Sequence, residues 1–339
     1  MKRLALYFTA PRRVALREEH LPAPGAGQML VQMLLSAISS GTEMLIYRGE
    51  APADLPADTT ITALGGSLRF PLKYGYSLVG RVIETGQGVD DAWVGRLVFA
   101  FHPHETAFLA GPDELIPVPE GLSPEDAITM PNMETAITLV HDGQPMLGEQ
   151  VLVMGQGIVG LLTTSLLTRF PLHRLITVDR WPHRREVSLA LGAAASFAPE
   201  DEASIAALLA DQREYPAADL SYELSGSPAA LDQAIRLTGF SGRVVIGSWY
   251  GTKPASLDLG GRFHRSRIRL ISSQVSSIDP ALTGRWTKER RWQQAWEQIR
   301  RAEPARFITH RIPFDRAPEA YALLDDDPGS AIQVVLTYP

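Results

Sequence analysis

The residues most able to do chemistry begin with a glycine string, Gly155-Gln156-Gly157-Ile158-Val159-Gly160. An apolar run, residues 151–154, leads straight into it, and an apolar helical pattern, residues 158–168, leaves it. In such a strand–turn–helix the first glycine permits the tight turn and the second lets the backbone approach a pyrophosphate. The third lets helix and strand pack closely. The helix start adds unpaired N–H groups and the positive end of a dipole, both suited to an anion. A dinucleotide site of this kind also needs an acidic residue about twenty positions on, at the end of the next strand. Asp179 stands there, after Leu175-Ile176-Thr177-Val178. Its carboxylate can accept hydrogen bonds from ribose hydroxyls and repels a 2′-phosphate, which selects NAD. Arg180, His183 and Arg184 follow at once. They read either as a solvated helix start or as partners for a 2′-phosphate, and NADP is therefore the alternative cofactor.

A chain of 339 residues is too long for one ordinary core and suits two domains. The first third is rich in Gly and Pro, with short apolar runs such as 29–31, 79–83 and 96–101 between turn signals. That pattern predicts a β-rich domain. Residues 51–66 have little periodicity and read as a long surface loop of the kind that often borders a site. In the middle, apolar strands (151–154, 175–178, 218–222, 244–246 and 268–271) alternate with helical patterns (158–168 and 183–191). Such alternation implies a doubly wound parallel sheet. The tail holds an amphipathic helix over 289–301 and a closing strand over 331–336.

Composition narrows the function. A net charge of -6 argues against nucleic acid as a partner. Disulfides and thiolate zinc sites are impossible without cysteine, of which there is none. No apolar stretch approaches the roughly 20 residues that span a bilayer. Residues 4–10 read as a first strand rather than a secretory signal. The expectation is a soluble, cytoplasmic protein with a small-molecule substrate and no membrane partner.

Further landmarks are Ser40-Gly41-Thr42-Glu43, Gly75-Tyr76-Ser77-Leu78-Val79-Gly80, Gly95-Arg96-Leu97-Val98, Glu223-Leu224-Ser225-Gly226 and Gly242-Arg243-Val244-Val245. With the glycine string they make nearly the whole chain similar to the medium-chain dehydrogenase/reductase superfamily. The resemblance implies an α/β protein with two domains. One is a GroES-like, β-rich catalytic domain over 1–131 and 274–339. The other is a Rossmann domain over 132–273, a doubly wound parallel sheet that binds the dinucleotide. Zinc-dependent members carry Cys-Gly-Thr/Ser-Asp where this chain has Ser40-Gly41-Thr42-Glu43, and Gly-His-Glu where it has Gly75-Tyr76-Ser77. Their third ligand falls at Pro131, with Glu134 close by. A hydroxyl, a phenol and a proline do not hold Zn²⁺ as thiolate and imidazole do. The expectation is therefore no zinc. His102 and His104, with Glu105 beside them, form one alternative metal set, although Pro103 between them favours a structural or substrate-facing role.

In a zinc-free member the substrate oxygen must be polarised by hydrogen bonds. Tyr76, at the lost histidine position, is the first candidate, its phenol lowered in pKa if a cation lies near. Thr42 matches a family position that passes protons, and Ser40 and Ser77 could join the relay. Glu43 and Tyr47 would orient it, with Arg48 near. Thr135 matches a position close to the nicotinamide, and Ser225 joins the cofactor-binding set. Tyr76, Ser40 and Ser77 could equally be packing residues, and the basic residues Lys288, Arg290 and Arg291 read as a solvated helix face. The leading expectation is hydride transfer between nicotinamide and a secondary alcohol or ketone. The alternatives are an NADPH-dependent enone or quinone reductase and a non-catalytic nucleotide-binding protein. The Gly-Thr-Glu and Gly-Tyr elements also look somewhat like those of dehydrogenases acting on the hydroxyethyl group of bacteriochlorophyll precursors. Family members pair through the Rossmann edge, which implies a homodimer, with residues 244–250 and 268–273 as the edge.

Overall fold

The computed structural model describes residues 1–210 and 217–339. These form two compact units, residues 1–131 with 299–339, and residues 132–298. The chain opens with an antiparallel pair, β1 (Lys2–Ala10) and β2 (Arg13–His20). It continues through β3 (Met29–Ile38), α1 (Thr42–Arg48), β4 (Leu78–Thr85), β5 (Leu97–Ala100), β6 (Ala107–Ala110), β7 (Leu115–Pro117) and the short α2 (Pro124–Ala127). Residues 51–66 carry no helix or strand.

Helix α3 (Met130–Gly143) carries the chain into the second unit. There β8 (Gln150–Met154), α4 (Ile158–Leu167), β9 (Arg174–Val178), α5 (Pro182–Ala190), β10 (Ala195–Phe197), α6 (Glu202–Ala210), β11 (Ala218–Glu223), α7 (Pro228–Leu237), β12 (Thr238–Ile246) and β13 (Arg269–Ser272) follow. The six strands are parallel, in the order β10-β9-β8-β11-β12-β13. Every residue of β8 is buried, as a central strand covered on both faces requires. The strand order reverses between β8 and β11, and in such sheets ligands bind beyond the carboxyl ends of the strands at that point.

Helix α8 (Lys288–Ala302) returns the chain to the first unit, where β14 (Ile308–Pro313), α9 (Ala317–Asp326) and β15 (Gln333–Thr337) complete a sheet ordered β14-β15-β3-β4-β5-β7, with β6 on β3. The expected seam at 273/274 lies inside the second unit. The start of α8 is tied there by Arg291, whose guanidinium meets Glu134 of α3 at 2.7 Å. Arg291 is 2% exposed and so departs from the solvated face expected of it, while its neighbour Arg290 is exposed.

Helix α1 matters most for the first unit's chemistry. Its start is held reciprocally: the Ser39 hydroxyl accepts the Thr42 N–H at 3.2 Å, and the Glu43 carboxylate accepts the Ser39 N–H at 2.9 Å. Gly49, left-handed at φ 73°, ends the helix. Met44 and Ile46 bury beside Phe8, Ile38 and Tyr321 in one core. The second unit has its own core, around Leu152, Met154, Ile176, Val178, Ala234 and Val244.

Candidate active site

The glycine turn sits where β8 ends and α4 begins, and each glycine has a separate physical reason. Gly155 is left-handed at φ 94°, and a Cβ there would lie 2.7 Å from the Leu224 and Ser225 backbone at the end of β11. A Cβ on Gly160 would lie 1.9 Å from the Gly155 carbonyl oxygen. Gly157 differs, because a Cβ there would meet only the Arg184 guanidinium, at 3.9 Å. That open approach, at the N-terminus of α4, is what a pyrophosphate needs. Ile158 is buried and Val159 half-buried in the first turn of α4. The N–H groups of this first turn have no intrahelical acceptor. Gln156 points inward: its side chain donates to the Gly155 carbonyl at 3.1 Å and accepts from Thr164 at 3.0 Å. It braces the loop from within the core.

Asp179 follows β9 and is 6% exposed. One carboxylate oxygen accepts the Gln156 N–H at 2.7 Å and the other accepts the Trp181 N–H at 2.8 Å. Each oxygen keeps a lone pair, so the group can brace the loop and still accept from ribose. Arg180 is exposed, with its guanidinium 4.3 Å from the Trp181 ring centroid. Arg184 lies near Asp179; burial pulls its guanidinium below the usual value and the Asp179 charge partly restores it. Ser225 is committed internally, since both its N–H and its hydroxyl donate to the buried Glu223 carboxylate, at 2.8 and 2.5 Å. Tyr250 donates to the other Glu223 oxygen at 2.5 Å. Thr135 is half-buried on α3, beside Glu134. These groups fit a dinucleotide: Gly157 and the α4 start for the pyrophosphate, Asp179 for the ribose.

In the first unit the structure brings Tyr76 and Thr42 together and adds Ser39, which the sequence reading missed. The Tyr76 phenol donates to the Ser39 hydroxyl at 2.7 Å, and the same hydroxyl accepts the Thr42 N–H at 3.2 Å. All three residues are half-buried. Burial pushes the phenol above its ordinary pKa and the Glu43 charge adds to this, against the lowering effect of the Ser39 and Thr42 hydrogen bonds. The expected lowering by a nearby cation is therefore reversed. Ser40 is exposed and makes no part of this cluster. Ser77 is buried, donating to the Ile128 carbonyl at 2.5 Å. Tyr47 stacks on Tyr321 at 5.5 Å, and Arg48 pairs with Asp325 at 2.6 Å, so neither faces the hydroxyls.

Glu43 is fully buried beneath the cluster. Its carboxylate faces Tyr321 at 2.6 Å and the His104 ring at 3.0 Å. The other His104 nitrogen meets the Ser36 hydroxyl at 2.7 Å. His102 points elsewhere, stacked on Phe108 with ring centroids 4.1 Å apart. Glu105 is buried between Arg3 and Lys73, each at 2.5 Å. The two histidines therefore do not share a site. Glu134, the other possible ligand, is held by Arg291 at 3.0 and 2.7 Å. The donors at the zinc positions are an exposed hydroxyl, a phenol engaged with Ser39 and a proline, and this set does not fit Zn²⁺. No group of three or more His, Cys, Asp or Glu side chains suited to a metal occurs among the described residues.

Known proteins similar to this chain are dehydrogenases. The profile described as "Zinc-binding dehydrogenase" matches residues 159–300. The D-guloside 3-dehydrogenase of Escherichia coli K12 is 26% identical, over 98% of this chain and 99% of that one. The L-threonine 3-dehydrogenase of Pyrococcus abyssi is 23% identical, over 91% and 98%. An alcohol dehydrogenase of Escherichia coli CFT073, solved with NADH, shares the fold at a TM-score of 0.78 and 19% identity, covering 99% of each chain. Residues 159–300 thus match the zinc-binding dehydrogenase family, and over nearly its whole length the chain is similar to dehydrogenases of the medium-chain type. It is an enzyme of the dehydrogenase/reductase type. No helix among the described residues is long and apolar enough to cross a membrane.

Proposed function

We propose that this protein is a zinc-independent oxidoreductase that moves a hydride between NAD(H) and a secondary alcohol or ketone, with hydroxyl groups in place of a metal. The observation that carries the reading is the Tyr76–Ser39 hydrogen bond beside Thr42, in which Tyr76 stands at the position where zinc-dependent relatives carry histidine. Bound nicotinamide supplies hydride chemistry. Gly157 and the start of α4 hold the pyrophosphate, and Asp179 holds the ribose. In the reducing direction the Tyr76 phenol donates to the carbonyl oxygen and gives up its proton as the alkoxide forms. Ser39 and Thr42 then relay a proton from solvent to the phenolate, each hydroxyl giving one proton and taking another. A phenol whose pKa is raised by burial stays protonated at neutral pH, which suits a donor. The relatives named for guloside and threonine support an alcohol substrate. The pairing of subunits through the β13 edge of the parallel sheet, and a cytoplasmic location, belong to the same proposal.

The test is titration with NADH and NADPH by nicotinamide fluorescence, followed by a screen of secondary alcohols and ketones with Tyr76→Phe as control. Tight NADH binding and turnover lost in Tyr76→Phe support the reading. Strong NADPH preference, with turnover on activated C=C bonds, would replace it by the enone or quinone reductase. Nucleotide binding without turnover would replace it by a non-catalytic binding protein.

A further inference from the structure

Among the buried polar groups outside the nucleotide cradle, His104 contacts both segments that carry the hydroxyl cluster. It is fully buried just before β6, and its backbone is fixed on both sides: its carbonyl accepts the Leu6 N–H at 2.9 Å and its N–H donates to the Tyr74 carbonyl at 3.4 Å. One ring nitrogen faces the Glu43 carboxylate at 3.0 Å, and the other faces the Ser36 hydroxyl at 2.7 Å. Ser36 in turn meets the Tyr338 hydroxyl at 2.9 Å. The ring edge also fills the space over Gly75, where a Cβ would lie 2.6 Å from its Cδ2.

Both halves of the Tyr76–Ser39 hydrogen bond lead to this ring. Ser39 is held by Glu43, whose carboxylate accepts the Ser39 N–H while the Ser39 carbonyl accepts the Glu43 N–H at 3.1 Å. Glu43 is held by His104. Tyr76 is the neighbour of Gly75, which lies against the same ring. We propose that His104 is the positioning residue of the hydroxyl site: one imidazole, bonded to Glu43 and Ser36 and packed on Gly75, sets the separation of Tyr76 and Ser39. It touches no reacting atom and acts through those two residues. A fully satisfied buried polar network is rigid enough for this, because any displaced member would be left unpaired in the interior. The inference rests on the reading of Tyr76 as the residue that holds the substrate oxygen.

The experiment follows hydrogen–deuterium exchange and ketone turnover in His104→Leu and in the milder Ser36→Ala. Exchange in peptides covering 36–47 and 72–80 is expected to rise together, by about tenfold in His104→Leu, and to stay unchanged in the nucleotide cradle. kcat is expected to fall by about tenfold or more, with the NADH dissociation constant unchanged. In a Tyr76→Phe background the same substitution should cost no more than about twofold, because it acts through the phenol. Unchanged exchange in either segment, or an equal loss of kcat in the Tyr76→Phe background, would overturn the proposal. If His104→Leu does not fold, Ser36→Ala decides: a rise confined to the two segments supports it, and no rise refutes it. If Tyr76→Phe alone leaves turnover intact, the functional reading fails, and the exchange result still decides the positioning role.

Discussion

The carboxylate of Asp179 accepts the backbone N–H of Gln156 at 2.7 Å, so the acid at the end of β9 also holds the glycine turn at the end of β8. The two roles separate by substitution. Asp179→Asn removes the charge that repels a 2′-phosphate and keeps one acceptor oxygen, enough for the Gln156 N–H while the Trp181 N–H loses its partner. The ratio of NADPH to NADH affinity should rise about tenfold, equivalent to about 1.4 kcal/mol. Asp179→Leu leaves the Gln156 N–H without an acceptor and should weaken both nucleotides. Fluorescence titration of both variants checks this; an unchanged ratio in Asp179→Asn would remove Asp179 from cofactor selection.

Two glycines of the turn should respond oppositely to alanine. In Gly160→Ala the new Cβ would sit 1.9 Å from the Gly155 carbonyl oxygen, so helix and strand must separate. A loss of about 1–3 kcal/mol is expected. Gly157 has φ -70°, which alanine adopts freely, and open space around it. Gly157→Ala should keep its melting temperature and lose nucleotide affinity. Thermal unfolding of both variants, beside NADH titration of Gly157→Ala, distinguishes the two. A Gly157→Ala protein that bound NADH normally would place the pyrophosphate elsewhere.

The Glu134–Arg291 pair is buried on both sides, with side chains 4% and 2% exposed. Arg291→Met strands a carboxylate in the interior and should cost about 3–5 kcal/mol, whereas the double variant Glu134→Gln/Arg291→Met should recover much of that. Urea unfolding of the three proteins tests it. Equal losses in the single and double variants would show that the pair is not the coupled unit described.

Stability should fall in mild acid partly through His102. Burial pulls its imidazole from 6.5 down to about 3, with the Arg3 and Lys73 charges acting the same way. The folded state then binds fewer protons than the unfolded chain between those values. Its stabilising contribution is complete above the ordinary imidazole pKa and is lost as pH falls toward about 3. His141, pulled to about 4 by burial and by Arg291, Arg285 and Arg290, adds to the same trend. In His102→Phe the slope of stability against pH between about 6 and 4 should flatten, removing on the order of a few kcal/mol of acid sensitivity. An unchanged slope would contradict the assignment.

The glycine turn between β8 and α4 was legible because its requirements are local. A turn that must admit a phosphate and pack closely can be made only from glycine at fixed spacing, and Asp179 follows at the end of the next strand. The hydroxyl cluster was half legible. Thr42 and Tyr76 stand out by position, but Ser39 joins them only because the first turn of α1 brings residue 39 to residue 76. Glu43 was read as orienting the hydroxyls, and its carboxylate holds the Ser39 N–H at 2.9 Å from within the core. On a helix adjacent residues point about 100° apart, which turns Glu43 into the core while Thr42 stays half-exposed. Arg291 was hidden in a basic helical stripe, since its partner Glu134 lies 157 positions earlier and hydropathy carries no sign of it.

The most direct test of the central claim is ketone turnover with NADH by protein stripped with a strong chelator and checked for metal by mass spectrometry. The account predicts unchanged kcat at negligible zinc, no gain on adding Zn²⁺, and a loss of about 10²-fold or more in Tyr76→Phe. Activity that vanishes with the chelator and returns with Zn²⁺ would contradict it.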